Sequence, residues 1–194
     1  MHSLQQFLRN GIIALLLLPS STLLAQLPSV EVINSGTKAS FRGLSVVNDN
    51  VVWVSGSNGT VGKSMDGGNN WTIIKDQSGP ILKSVFFIDS LNGFIVGDNS
   101  TILSTTNGGT VWTPVSSPVN LRKFNAITFA NSTIGFIAGG NDTTKTILKT
   151  TDGGANWNVV LDTTGGIFND ISVQDNIQGI IYAVGAKYEV DKSI

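Results

Sequence analysis

Three short segments set a carboxylate or carboxamide beside a hydroxyl and a glycine pair. They are Ser64-Met65-Asp66-Gly67-Gly68-Asn69-Asn70-Trp71, Thr105-Thr106-Asn107-Gly108-Gly109-Thr110-Val111-Trp112 and Thr150-Thr151-Asp152-Gly153-Gly154-Ala155-Asn156-Trp157. Two chemistries suit such an aspartate: general acid–base work, or calcium ligation through oxygen. A third role is conformational, because an Asp or Asn side chain can accept hydrogen bonds from the N–H groups of its own turn while glycine supplies positive φ. Asn107 in the middle copy favours the third, since an amide keeps the turn bond but cannot serve as an ionised acid or base. Ser64, Asp66, Gly68, Trp71, Thr105, Asn107, Gly109, Trp112, Thr150, Asp152, Gly154 and Trp157 therefore read as structural. No catalytic residue, metal ligand or cofactor site is assigned.

The remaining reactive inventory is thin. The 194 residues contain no Cys and one His, His2, so beyond the N-terminal stretch no Ser-His-Asp or Cys-His pair and no ordinary zinc site can be assembled from the chain's own residues. The first residues read as a secretory signal peptide, 1–25: Arg9, an apolar run from Ile12 to Leu18, Pro19, and a small residue, Ala25, at the cleavage position. The apolar run is short for a membrane span, so none is expected after signal removal. Secretion or periplasmic export follows. Removing Arg9 leaves 11 basic against 13 acidic residues, which provides no overall electrostatic footprint for nucleic acid.

The elements that position the turns repeat with them. The tryptophans stand at 71, 112 and 157, 41 and 45 residues apart. Upstream of each turn an aromatic and a glycine recur, as Trp53 with Gly56, Phe94 with Gly97 and Phe136 with Gly139, with a fainter copy at Tyr182 and Gly185. Further upstream, Phe41-Arg42-Gly43-Leu44, Leu82-Lys83-Ser84-Val85, Phe124-Asn125-Ala126-Ile127 and Phe168-Asn169-Asp170-Ile171 align without gaps. Each repeat divides into four β-rich runs, in the first copy Phe41 to Val47, Val51 to Gly56, Thr60 to Ser64 and Trp71 to Lys75. Four strands per 40–45 residues predict an all-β fold, a β-propeller of four-stranded antiparallel blades. Within 26–194 the blades fall near 41–75, 82–115, 124–161 and 168–194, about three and a half blades in all. Residues 30–34 occupy the register of a fourth strand and are expected to close the last blade. That closure fits either a piece of a larger ring or a four-bladed ring in which 30–33 pairs with Glu189 to Ser193.

At these motifs the chain resembles the Asp-box (bacterial neuraminidase repeat) propellers, and most of all the photosystem II stability/assembly factor family. The resemblance covers roughly Phe41 to Ile194. It implies a non-catalytic module that binds a polypeptide against a basic patch. Arg42 and Lys83 fall at corresponding first-strand positions, where Asn125 and Asn169 break the series. Other Asp-box propellers are sialidase-like glycoside hydrolases or polysaccharide binders, and these are the alternative readings. A sialidase implies three arginines, a tyrosine nucleophile helped by a glutamate, and an aspartate. After the signal the chain offers only Arg42 and Arg122, Glu31 and Glu189, and Tyr182 and Tyr188.

In a four-stranded blade, the loops joining first to second and third to fourth strands share one face, and the other loops share the opposite one. Asp49, Asp66, Asp89, Asp152 and Asp175 then lie on the turn face. Lys38, Arg42, Lys83, Arg122, Lys123, Lys145 and Lys187 lie on or near the other, interspersed with Asp98, Asp142 and Asp170. This second face is the expected docking surface for a protein partner.

Overall fold

The computed structural model describes residues 36–75, 78–174, 180–185 and 190–193. The signal peptide, the closing strand at 30–34 and Lys187 lie outside the described residues. The chain divides into two units, 1–32 and 33–194, and every described residue belongs to the second.

Each repeat forms one antiparallel sheet whose strands are paired in chain order. The first blade comprises β1 (Phe41–Val46), β2 (Val52–Gly56), β3 (Val61–Ser64) and β4 (Thr72–Lys75). The second comprises β5 (Leu82–Phe87), β6 (Gly93–Gly97), β7 (Ile102–Thr105) and β8 (Thr113–Pro114), and the third β9 (Lys123–Phe129), β10 (Gly135–Gly140), β11 (Thr144–Thr150) and β12 (Asn158–Thr164). The fourth sheet has three strands, β13 (Phe168–Val173), β14 (Ile181–Gly185) and β15 (Val190–Ser193). No helix among the described residues is long and apolar enough to cross a membrane.

Burial grades across each blade because each sheet has two faces that only its neighbours can cover. The second strands of the first three blades are covered on both sides, and β6 (Gly93-Phe94-Ile95-Val96-Gly97) and β10 are buried at every position, so they read as continuous apolar runs without alternation. At the outer edge almost every residue of β12 is exposed. Three apolar clusters fill the three seams between blades. They centre on Trp53, Leu82 and Ile95; on Phe94, Phe124 and Ile137; and on Phe136, Phe168 and Ile181.

The seams also explain the repeating tryptophans. Trp112 meets Trp53 of the preceding blade edge-on at 5.8 Å, and Trp157 meets Phe94 in the same way at 6.2 Å. The recurring second-strand aromatic lies beneath the second glycine of the next blade's turn, Trp53 under Gly109 and Phe94 under Gly154, so closely that neither glycine could carry a Cβ without displacing the ring.

Candidate partner-binding face

The two loop sets separate as the connectivity requires. On one side Gly67 N–H donates to Asn50 O, Gly108 N–H to Leu91 O and Gly153 N–H to Thr133 O, each at 2.9 Å, tying every glycine turn to the first hairpin of its own blade. On the other, Gly59 N–H donates to Pro80 O at 2.9 Å, and Ser100 N–H donates to Arg122 O at 2.7 Å.

The turn residues are consumed by the turn. Ser64 Oγ donates to Asp66 Oδ1 at 2.8 Å and accepts from Gly68 N–H at 2.8 Å. Asp66 in turn accepts from Asn70 N–H at 2.8 Å and Asn70 Nδ2 at 2.7 Å. Thr150, Asp152, Gly154 and Asn156 repeat this pattern. Asn107 keeps it with its amide oxygen, accepting from Thr105 Oγ1 and Val111 N–H at 2.9 Å each. The Asn156 N–H, then the Asn156 side chain and Thr150 hold the Asp152 carboxyl at about 2, and the Asn70 backbone, Asn70 side chain and Ser64 lower Asp66 likewise. Both are fixed anions committed to local bonds, a poor state for a general acid. No cluster of three metal-ligating side chains occurs among the described residues.

The opposite face is organised by a feature the sequence did not announce. In every blade the pairing of first and second strands skips one residue. Phe41 pairs with Gly56 and Gly43 with Ser55; Leu82 with Gly97 and Ser84 with Val96; Phe124 with Gly139 and Ala126 with Ala138; Phe168 with Gly185 and Asp170 with Val184. The extra residue, bulged out of the ladder, is Arg42, Lys83, Asn125 and Asn169 in turn. A β-bulge re-aims the side chain it carries. The recurring glycine is its counterpart: a Cβ at Gly56, Gly97, Gly139 or Gly185 would collide with a backbone carbonyl at the start of the first strand.

The bulges also join blade to blade, because each first strand packs against that of the next blade, β1 on β5, β5 on β9 and β9 on β13. Lys83 Nζ bonds Asn125 Oδ1 at 2.9 Å and pairs with Asp98 at 2.7 Å, and Asn125 Nδ2 donates to Phe168 O at 2.6 Å. Arg122 is held by Asp162 at 3.1 Å, with Thr146 Oγ1 accepting from its Nε at 3.2 Å. The Thr146 hydroxyl bond, then Arg122, keeps Asp162 below the ordinary carboxylate value against the effect of burial. Lys123 lies 3.4 Å from exposed Asp142, and Lys145 covers the Phe168 ring at 5.5 Å. Lys38 and Arg42 are exposed and form no ion pair among the described residues.

The family model for photosynthesis system II assembly factor YCF48 matches residues 74–192. The chain belongs to that family. Its YCF48-type propeller is similar to a structure described as YCF48 bound to D1 peptide, at 23% identity and a TM-score of 0.65, covering 82% of this chain and 51% of that one. YCF48 from Cyanidioschyzon merolae is 18% identical with a TM-score of 0.63, covering 83% and 55%. The present chain thus spans about half the length of either structure. A GH74 xyloglucanase from Xanthomonas campestris shares the fold at 13% identity and a TM-score of 0.63, covering 80% of this chain and 28% of the enzyme. No curated protein sequence matches the chain. The likeness to the xyloglucanase carries the fold alone.

Proposed function

We propose that this chain is a non-catalytic, extracytoplasmic propeller that holds a polypeptide partner against the face bearing Lys38, Arg42, Lys83, Arg122, Lys123 and Lys145. The observation that carries the reading is the repeated bulge. It brings one side chain per blade to the same end of the first strands, and the first of them, Arg42, is a guanidinium with no internal counter-ion among the described residues. A planar guanidinium suits bidentate capture of a carboxylate. Lys83 and Arg122 are partly neutralised by Asp98 and Asp162. They give the surface shape and a modest field, with Arg42 and Lys38 supplying uncompensated charge. A partner peptide with carboxylate side chains fits this arrangement, and the peptide-bound YCF48 structure supports the mode of binding.

The test uses a fluorescein-labelled D1 peptide and a Glu-rich peptide of equal length. Their anisotropy is measured with the full chain between about 50 and about 500 mM salt, where screening removes exposed pairs. Affinity is expected to fall with salt and with Arg42→Glu, at unchanged melting temperature. Binding that ignores salt and Arg42, and maps to the Asp66 turn, refutes the assignment. Incubation with xyloglucan or sialyllactose is expected to release no product. N-terminal sequencing of the exported protein is expected to begin at Gln26.

A further inference from the structure

We infer that the trough between the second and third blades, on the glycine-turn face, is a binding site for a neutral oligosaccharide. It encloses about 810 Å³, within the range of small-molecule sites. Its origin lies in the sequence. Pro114 ends β8 after two residues and Pro118 keeps the chain from resuming the strand, whereas the corresponding β12 runs for seven. The second blade therefore withdraws its outer strand from the seam while the third blade's turn stays in place on the far side.

The chemistry of the lining selects the ligand class. Ser104, Thr106, Ser116 and Ser132 line the trough, and their hydroxyls make no hydrogen bond to another described residue. Hydroxyls both donate and accept, which matches a polyol. Trp157, 5% exposed, forms part of the wall, packed edge-on against Phe94 at 6.2 Å. Pro114 and Pro118, both exposed, add apolar surface for the C–H face of a sugar ring. No Lys or Arg lines the trough, and its single carboxylate, Asp89, disfavours anionic ligands. An extended peptide would need a strand edge with unpaired backbone groups. The outer edge of β7 is already occupied, with Leu103 and Ser104 paired to Pro114 and Thr113 and Val115 N–H donating to Ile102 O at 2.9 Å.

The site lies on the opposite face from the bulged residues, so it stands or falls independently of the polypeptide reading. The test is calorimetric titration of the full chain with cellohexaose, maltohexaose and chitohexaose, and with an oligogalacturonate as the anionic comparison. At least one neutral hexasaccharide is expected to bind with a Kd at or below about 1 mM, and Ser116→Phe and Ser132→Phe, both at exposed positions, to weaken it at least roughly tenfold without lowering the melting temperature. Arg42→Glu is expected to leave it unchanged. The inference is overturned if none of the three sugars binds at about 10 mM. It is equally overturned if oligogalacturonate binds as well, if both Phe variants bind like wild type, or if the Glu-rich peptide displaces the sugar.

Discussion

Replacing Gly109 by alanine tests the seam where one blade meets the next. Gly109 has φ +77, and a Cβ there would enter the six-membered ring of Trp53. That ring cannot simply swing aside. It stacks on Phe87 at 5.1 Å, meets Trp112 edge-on at 5.8 Å, carries Lys63 Nζ at 5.0 Å from its centroid and is 1% exposed. A left-handed conformation costs a non-glycine residue about 1–2 kcal/mol. Forcing a methyl group into packed surroundings adds about 1–3 kcal/mol. The expected loss is therefore about 2–5 kcal/mol, a large share of a domain's stability. Gly108→Ala supplies the reference. Its φ is +62, but its Cβ would meet only Ser90 O at 3.1 Å and Leu91 Cδ2 at 4.0 Å, so backbone strain dominates there. Urea denaturation followed by circular dichroism compares the two, and repeating Gly109→Ala in a Trp53→Leu background isolates the contact as a double-mutant cycle. Equal costs for Gly108→Ala and Gly109→Ala would refute the argument, as would an unchanged cost of Gly109→Ala when Trp53 is leucine.

Thr150→Val removes the buried hydroxyl that accepts from Gly154 N–H at 2.9 Å while keeping the side chain's shape. A loss of about 1–3 kcal/mol in denaturant unfolding is expected, with Thr150→Ser largely restoring stability. Asp152 is held at about 2 in the folded chain against an ordinary 3.8. Its contribution is thus complete above the ordinary value and disappears as pH falls through the folded one, so melting temperature should drop most steeply between about pH 4 and about pH 2. Asp152→Asn, which gives the third turn the amide already present at Asn107, should flatten that drop, and an unaltered slope would show that other carboxylates govern acid unfolding.

Much of this architecture could be read from spacing alone, because the repeat prints the same physics several times. The expected runs Phe41 to Val47, Val51 to Gly56, Thr60 to Ser64 and Trp71 to Lys75 differ from β1–β4 by one residue at a boundary. Asn107 in the middle copy pointed to a structural turn, since an amide keeps the turn bond but cannot ionise. The seams were half legible. Tryptophan was expected to cover them, but Trp53 and Phe94 lying beneath a neighbour's glycine involves partners more than 50 residues away, and nothing local marks it. The recurring Gly56, Gly97, Gly139 and Gly185 were the visible trace of the bulges. Their meaning required the register, since a skipped pairing leaves no mark in an ungapped alignment. The charges on the docking face were legible as a set but not as pairs. Asp98 read as dilution of positive charge and is instead the counter-ion of Lys83, across a hairpin that brings residues 15 apart to 2.7 Å. The trough had one signal, the prolines at 114 and 118 where the first and third blades keep a longer outer strand.

The bulge has a consequence for how such a face can be altered. Along an ordinary strand every second side chain belongs to the core, so changing a surface position constrains its neighbours through the pleat. A residue outside the ladder escapes that parity. The exposed positions 42 and 169 can change charge or length while Phe41 and Phe168 beside them keep their places, whereas Lys83 and Asn125 are tied across the seam to each other and to Phe168 O. Arginine, lysine and two asparagines already occupy the same frame. Substituting arginine or aspartate at 42 and 169 should therefore change the charge at this end of the first strands while the core beneath remains the same.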